Sequence, residues 1–192
     1  MLEEEYQRGH RPVAAQKNLP PLQVPFEYTI REATPADLPH IREIYNHYVA
    51  NSTVTFDEDP MTLRELRAKF VNLHKLGLPF IVAVSPGGQV LGYAYVFPWK
   101  TKAAYRFTVE NSIYLGPAAT GKGLGRALMT ELIDRSKAAG LKEIVAVIAD
   151  KGAEASIALH TEFGFKDIGH MGKVGFKFGR WLGTVLMQKS LK

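Results

Sequence analysis

The segment that most restricts how this 192-residue chain can fold is Thr120-Gly121-Lys122-Gly123-Leu124-Gly125. A strand-like run ends at Leu115 just before it, and Leu124, Ala127, Leu128 and Leu132 fall on one helical face after it. Glycine inside a helix costs about 1 kcal/mol relative to alanine, so three alternating glycines mark a turn between strand and helix. Free N–H groups at such a helix start, with glycines permitting close approach, form a site for phosphate oxygens. A glycine-rich helix entry without a ligand is the alternative.

Two other phosphate loops can be compared with this turn. Gly116 through Gly121-Lys122 fits the first seven positions of G-x-x-x-x-G-K-[ST], but Gly123 stands where the Mg²⁺-holding hydroxyl belongs. The dinucleotide fingerprint G-x-G-x-x-G fails because the third glycine comes one residue early and no initial βαβ unit surrounds it.

Around the turn the chain alternates short strands and helices. Tyr28-Thr29-Ile30 reads as a strand, and Thr34-Pro35-Ala36-Asp37 as a capping box with proline at the first helical position. The helix that follows places Leu38, Ile41, Ile44, Tyr45 and Tyr48 on one face. Thr62-Leu63-Arg64-Glu65 opens a second helix through Leu66, Phe70, Leu73 and Leu76 that stops at Gly77. Strands follow at Phe80 to Val84 and Val90 to Phe97, joined by Ser85-Pro86-Gly87-Gly88, and then at Arg106 to Leu115. After the helix that runs to Gly140, the reading is strand Ile144 to Ala149, helix Glu154 to Phe163, and two strands containing Phe165 to Ile168 and Thr184 to Met187. The order β-α-α-β-β-β-α-β-α-β-β mixes hairpins with crossover helices. It predicts an α/β fold with a mixed, mostly antiparallel sheet covered by helices on both faces.

Residues 1–26 carry Pro12, Pro20, Pro21 and Pro25 and mixed charge without apolar periodicity, which predicts an irregular arm ahead of one domain over residues 27–192. A content of 46% hydrophobic and 22% charged residues suits a soluble chain with a substantial core. The net charge of +5 is too mild and dispersed to indicate nucleic acid as a partner. No cysteine is present, which removes disulfides, thiolate metal sites and an acyl group carried on an enzyme thiol. The six histidines lack H-x₃-H or H-E-x-x-H spacing, so no metal is expected. No apolar run approaches the ~20 residues that span a bilayer. A cytoplasmic location is therefore expected.

With the strand, glycine turn and helix in place, the chain resembles the GNAT acetyltransferase superfamily, whose pyrophosphate loop reads [RQ]-x-x-G-x-[GA]. Over about residues 28–191 it resembles the branch acting on phosphinothricin and methionine sulfoxide or sulfone. The resemblance rests on residues 29–38, Ile44 to Val49 and Ser52 to Asp57, then Ala104 to Leu115, Ala155 to His160, Gly164-Phe165 and Gly175 to Trp181.

That resemblance implies acetyl-CoA as co-substrate, a small amine acceptor and a homodimer. It implies that Thr120, Gly121, Lys122, Gly123, Leu124, Gly125 and Arg126 hold the pyrophosphate, with Ser156 nearby. It further implies a splayed strand from Ser112 to Leu115, whose main chain at Tyr114 and Leu115 meets the pantetheine arm and polarises the thioester carbonyl. Glu110 would be the general base, because an amine attacks a thioester only when neutral and a carboxylate in a partly dry cleft takes up the proton. His160 stands on the short helix where other branches carry a Tyr that protonates the departing thiolate. It reads either as that acid or as a packing and hydrogen-bonding residue. Trp99, Lys100, Lys102, Tyr105 and Arg106 form a basic and aromatic cluster suited to a substrate carboxylate and oxyanion, and Phe56 takes the place of an aromatic wall of the acceptor pocket.

Three positions depart from the pattern. Thr120 stands where Arg or Gln is usual, Ala153 where an Asn contacts the cofactor, and Gly183 where Asp follows Trp181-Leu182. Two lost hydrogen bonds predict cofactor binding weaker by roughly 1 to 3 kcal/mol, with the main-chain cradle intact.

Overall fold

A computed structural model describes residues 26–192, so the arm expected over residues 1–26 lies outside the described residues except for Phe26. The element order is β1 (Thr29–Glu32), α1 (Leu38–Asn51), α2 (Leu63–Lys75), β2 (Phe80–Val84), β3 (Val90–Pro98), β4 (Thr108–Leu115), α3 (Leu124–Ala138), β5 (Glu143–Ala149), α4 (Glu154–Glu162), β6 (Lys166–Lys177) and β7 (Arg180–Ser190). The strands form one seven-stranded sheet in the order β1-β2-β3-β4-β5-β7-β6. Every neighbouring pair is antiparallel except β4 with β5.

Two apolar layers cover the two faces, as the element order predicted. Leu124, Leu128, Met129 and Leu132 of α3 join Val109, Ile144 and Ala146 on one face, with Ile157 and Leu159 of α4 packed against them. On the other face Leu38, Ile41, Ile44 and Tyr45 of α1 and Leu66 and Leu73 of α2 cover Val82, Tyr93 and Tyr95. Burying one large apolar side chain contributes about 1.5–3 kcal/mol, and the i, i+3, i+4 spacing in α1 and α3 is what turns those side chains inward.

Local start and stop signals had mixed outcomes. Thr62 and Glu65 form the full reciprocal capping box, and Gly77 leaves α2 with φ +66°. Thr34, in contrast, does not open α1. The Asp37 carboxylate bonds back to the Thr34 N–H (2.7 Å) and takes a bidentate pair from Arg31 (2.8 Å each), so residues 35–37 form a turn and the helix begins at Leu38. The Arg31 guanidinium holds the Asp37 carboxyl down at about 2. β4 starts at Thr108 rather than Arg106, because Ala103–Tyr105 close a 3-10 turn bonded back to Lys102 and Ala103. β6 and β7 run far beyond the apolar cores that marked them, since exposed hairpin strands need backbone pairing and not alternation.

Candidate active site

The parallel ladder of β4 and β5 covers only Thr108↔Glu143, Val109↔Ile144 and Glu110↔Val145. Both strands continue, to Leu115 and Ala149, so they part just past Glu110. Which main-chain groups face the resulting gap follows from β3. Gly116 N–H donates to Leu91 O (2.8 Å) and Trp99 N–H to Thr108 O (3.2 Å). On the β3–β4 register, antiparallel alternation commits the main chain of Tyr114 to β3 and turns that of Asn111, Ile113 and Leu115 toward the gap. Ile113 therefore takes the main-chain position that the family resemblance implied for Tyr114. The Leu115 carbonyl already accepts from the Tyr48 hydroxyl (2.7 Å), which leaves its N–H available.

Beyond Leu115 the chain passes through Pro117–Ala119 and the glycine turn into α3. Gly121 and Gly123 sit at φ +72° and +79°, where L-residues are strained, and a Cβ on either would meet nothing within 4 Å. Two left-handed turn residues with open space beside them, ahead of a 15-residue helix, leave room for a diphosphate to approach the helix start. Gly125 differs from them. A Cβ there would lie 3.5 Å from Leu159 of α4 and 3.8 Å from Leu115, ordinary contact distances, so Gly125 packs where α3, α4 and β4 meet and is not required by its conformation.

The side chains implied for the same ligand are less available. Thr120 bonds to the Pro117 carbonyl (3.0 Å). Arg126 makes a two-oxygen ion pair with Glu162 (2.7 and 3.0 Å) across α3 and α4. The Lys122 ammonium lies 4.7 Å from the Phe26 ring, and Leu124 is fully buried as a core residue.

Glu110 faces the α1–α2 side of the sheet. No register shift interrupts β3–β4, so Glu110 shares a face with Phe97 opposite it and with Tyr114. Its carboxyl is pushed up to about 7 by burial, with the Lys100 ammonium pulling the other way. A base of that strength is half ionised near neutrality and can take a proton from an ammonium group in the same cleft.

His160 is turned to the opposite face and buried among helix and strand. Its Nδ1 lies 2.7 Å from the Ser156 carbonyl, which only an Nδ1–H donor satisfies, so Nε2 accepts from Asn111 Nδ2 at 2.9 Å. Burial lowers its pKa, which keeps the ring neutral. Both nitrogens are thus occupied, and the hydrogen-bonding role that sequence left open beside the acid role is the one with partners in place. Ser156 enters the neighbourhood through its carbonyl, while its hydroxyl stands 3.5 Å from His160 Nδ1.

The acceptor cluster is only partly assembled. The Lys100 ammonium stacks on Trp99 (4.5 Å) and is felt by Glu110. Tyr105 is exposed, and Arg106 bonds locally to the Ala103 carbonyl (3.3 Å) and stacks on Phe107 (4.5 Å). Lys102 is exposed on the same loop. Phe56 comes instead from the α1–α2 connection and packs on Gly175 of β6. Sequence reasoning missed Ile113, Tyr48 and Asn111. The facing of Ile113 depends on the β3–β4 register, and the other two depend on contacts between distant elements.

A family model described as the acetyltransferase (GNAT) family matches residues 41–165. This chain belongs to that family. It is 43% identical over 163 residues to the phosphinothricin N-acetyltransferase of Alcaligenes faecalis, covering 85% of this chain and 82% of that one. It is 44% identical to the L-methionine sulfoximine/L-methionine sulfone acetyltransferase of Pseudomonas aeruginosa, covering 85% and 94%. Among solved structures it superposes with TM-score 0.82 on a GNAT superfamily phosphinothricin acetyltransferase from Sinorhizobium meliloti in complex with AcCoA, at 44% identity over 85% of this chain and 88% of that chain. The parted strands, left-handed glycine turn and raised carboxyl are thus found in a GNAT acetyltransferase.

Among the described residues no three metal-ligating side chains converge, and no helix is long and apolar enough to cross a membrane.

Proposed function

We propose that this enzyme moves the acetyl group of acetyl-CoA directly to the α-amine of a small amino-acid-like acceptor of the phosphinothricin, methionine sulfoximine or methionine sulfone type. The observation that carries the reading is Glu110, a carboxyl near pKa 7 on the last residue of β4 still laddered to β5. The turn at Gly121 to Gly125 and the N–H groups of Ile113 and Leu115 would hold the cofactor. The cofactor supplies an activated thioester, whose C–S bond breaks as the C–N bond forms.

Glu110 takes the proton lost by the ammonium, so the amine reaches the carbonyl neutral. A carboxylate in water, with pKa near 4.3, would be too weak a base for this step. One raised to about 7 gains proton affinity without losing its ionised population at neutral pH. Lys100, held against Trp99 beside that carboxyl, offers a cation for the acceptor's own carboxylate.

The direct test mixes protein, acetyl-CoA and a panel of amino-acid acceptors and follows free thiol. Turnover of phosphinothricin or methionine sulfone above peptide and aminoglycoside amines is expected. If acetyl-CoA raises the melting temperature while no amine is consumed, the chain is a binding module and the enzymatic reading fails.

We also infer a homodimer in the cytoplasm. Phe176, Phe178 and Trp181 are each more than half exposed on the β6–β7 hairpin, with Phe176 and Trp181 in edge contact at 5.3 Å. Such a cluster is costly to leave in water, and a second copy of the same hairpin would cover it. Light scattering should give twice the chain mass, and Trp181→Lys should give one chain mass.

A further inference from the structure

Lys177 is the least expected member of the core. It closes β6, a strand whose other residues are exposed or half-buried, yet it is only 2% exposed. Its ammonium donates to the Ser52 carbonyl (3.0 Å) and the Thr55 carbonyl (2.9 Å), and lies 5.0 Å from the Phe178 ring. No carboxylate forms an ion pair with it among the described residues, although Asp57 and Glu58 are near enough to counter the lowering of its pKa by burial. Lysine is almost never fully buried without a charged partner, so its position calls for a purpose beyond filling space.

Both acceptors belong to the connection between α1 and α2, 122 and 125 residues away in sequence. That connection carries Phe56 and is held at several other points. The Tyr45 hydroxyl meets Thr55 Oγ1 and the Asp57 carboxylate, Thr53 Oγ1 donates to the Lys151 carbonyl (2.9 Å), and Asn46 exchanges two bonds with Met61 (2.8 and 3.1 Å). Two residues before Lys177 on the same strand, Gly175 leaves room for the Phe56 ring, with which a Cβ at that position would collide. β6 therefore supplies both the floor beneath Phe56 and the ammonium that pins the backbone just ahead of it, at Ser52 and Thr55.

We propose that Lys177 is a positioning residue for acceptor recognition, a strut from β6 whose bonds to Ser52 and Thr55 hold Phe56 at the wall of the acceptor pocket. This rests on the acetyltransferase reading given above for the role of Phe56. The strut itself does not depend on that reading, because the pinned backbone can be observed without turnover. A neutral side chain of similar length, as in Lys177→Met, keeps the packing and loses both donors. Arginine keeps donors and charge, and so separates bonding from bulk.

The test has two arms on the full chain. Amide hydrogen exchange over residues 52–58 should quicken at least tenfold in Lys177→Met, while exchange in α3 and β5 stays as in the wild type. Steady-state kinetics on the acceptor that the wild type turns over best should show acceptor KM raised at least tenfold, acetyl-CoA KM within twofold, and partial recovery in Lys177→Arg. Gly175→Ala, which keeps the lysine but displaces the Phe56 ring, should raise acceptor KM in the same way and also serves if Lys177→Met fails to fold. Unchanged exchange over residues 52–58 overturns the strut. Quickened exchange with unchanged acceptor KM in both variants overturns its part in recognition. A wild type that consumes no amine at all refutes the acetyltransferase reading while the exchange result still decides the strut.

Discussion

The two sides of the candidate active site are made of different material. On the cofactor side the proposed groups are main chain: N–H groups on the parted half of β4 and two glycines at φ +72° and +79°. On the acceptor side the proposed groups are side chains brought from remote elements: Glu110 of β4 with Lys100 of the β3–β4 loop, and Phe56 of the α1–α2 connection as the pocket wall that the family resemblance implies. A backbone site tolerates changed side chains as long as its dihedrals survive, so Thr120 in the turn and Ala153 at the start of α4 are compatible with the proposed cofactor site. A side-chain site has no such tolerance, and small displacements there change what the enzyme accepts.

The largest effect is expected at Glu110. Glu110→Gln should lower kcat/KM by about 10²- to 10⁴-fold with acetyl-CoA binding unchanged, the usual contribution of a general base. The wild-type rate should rise with pH through about 7, because the ionised carboxylate is the working form. A flat pH profile together with an active variant would remove Glu110 from the chemistry. On the backbone side, Gly123→Val forces a β-branched residue into left-handed space, at a cost of roughly 1–3 kcal/mol. It should weaken acetyl-CoA about tenfold or more in calorimetry and leave the acceptor KM alone.

A smaller effect concerns stability. Glu110 has a folded pKa raised above its unfolded value, so the native state holds its proton more tightly and is favoured at low pH. The penalty grows as pH rises from the unfolded value to about 7 and is complete above it. Glu110→Gln should therefore stabilise the fold at pH 8 by ~1–3 kcal/mol, because each tenfold difference in proton affinity between folded and unfolded chain is worth about 1.36 kcal/mol. At pH 4 the gain should be much less. Equal denaturant midpoints at pH 8 would contradict the burial argument. The smallest change expected is from Thr120→Arg, which restores the usual loop side chain and should tighten acetyl-CoA by a few-fold, about 0.5–1.5 kcal/mol. A hundredfold gain would mean that the cradle depends on side chains after all.

How much of this was legible in the chain depends on the range of the interaction. Thr62 with Glu65, Gly77, and the strand, glycine turn and helix from Thr108 to Ala138 all obey rules acting within a few residues, and they were readable. Thr34 and Asp37 carry the same local signature as Thr62 and Glu65. Arg31 captured the carboxylate and delayed the helix, and a competing ion pair is not visible in a four-residue motif. The hairpin strands β6 and β7 were underestimated because most of β6 is exposed and carries no alternating apolar pattern.

The order of strands and helices, the mixed sheet and the glycine turn were determined by the sequence alone, since periodicity and glycine placement act through the backbone that the chain carries everywhere. Which way Glu110 points, that Ile113 rather than Tyr114 faces the gap, that His160 is tied to Asn111 and Ser156, and that a lysine from β6 holds the loop of Phe56 were decided only by tertiary structure. Those outcomes depend on register and on pairs of groups far apart in sequence. A hydrogen bond or a desolvated carboxyl exists only once both partners have been brought together and water has been displaced.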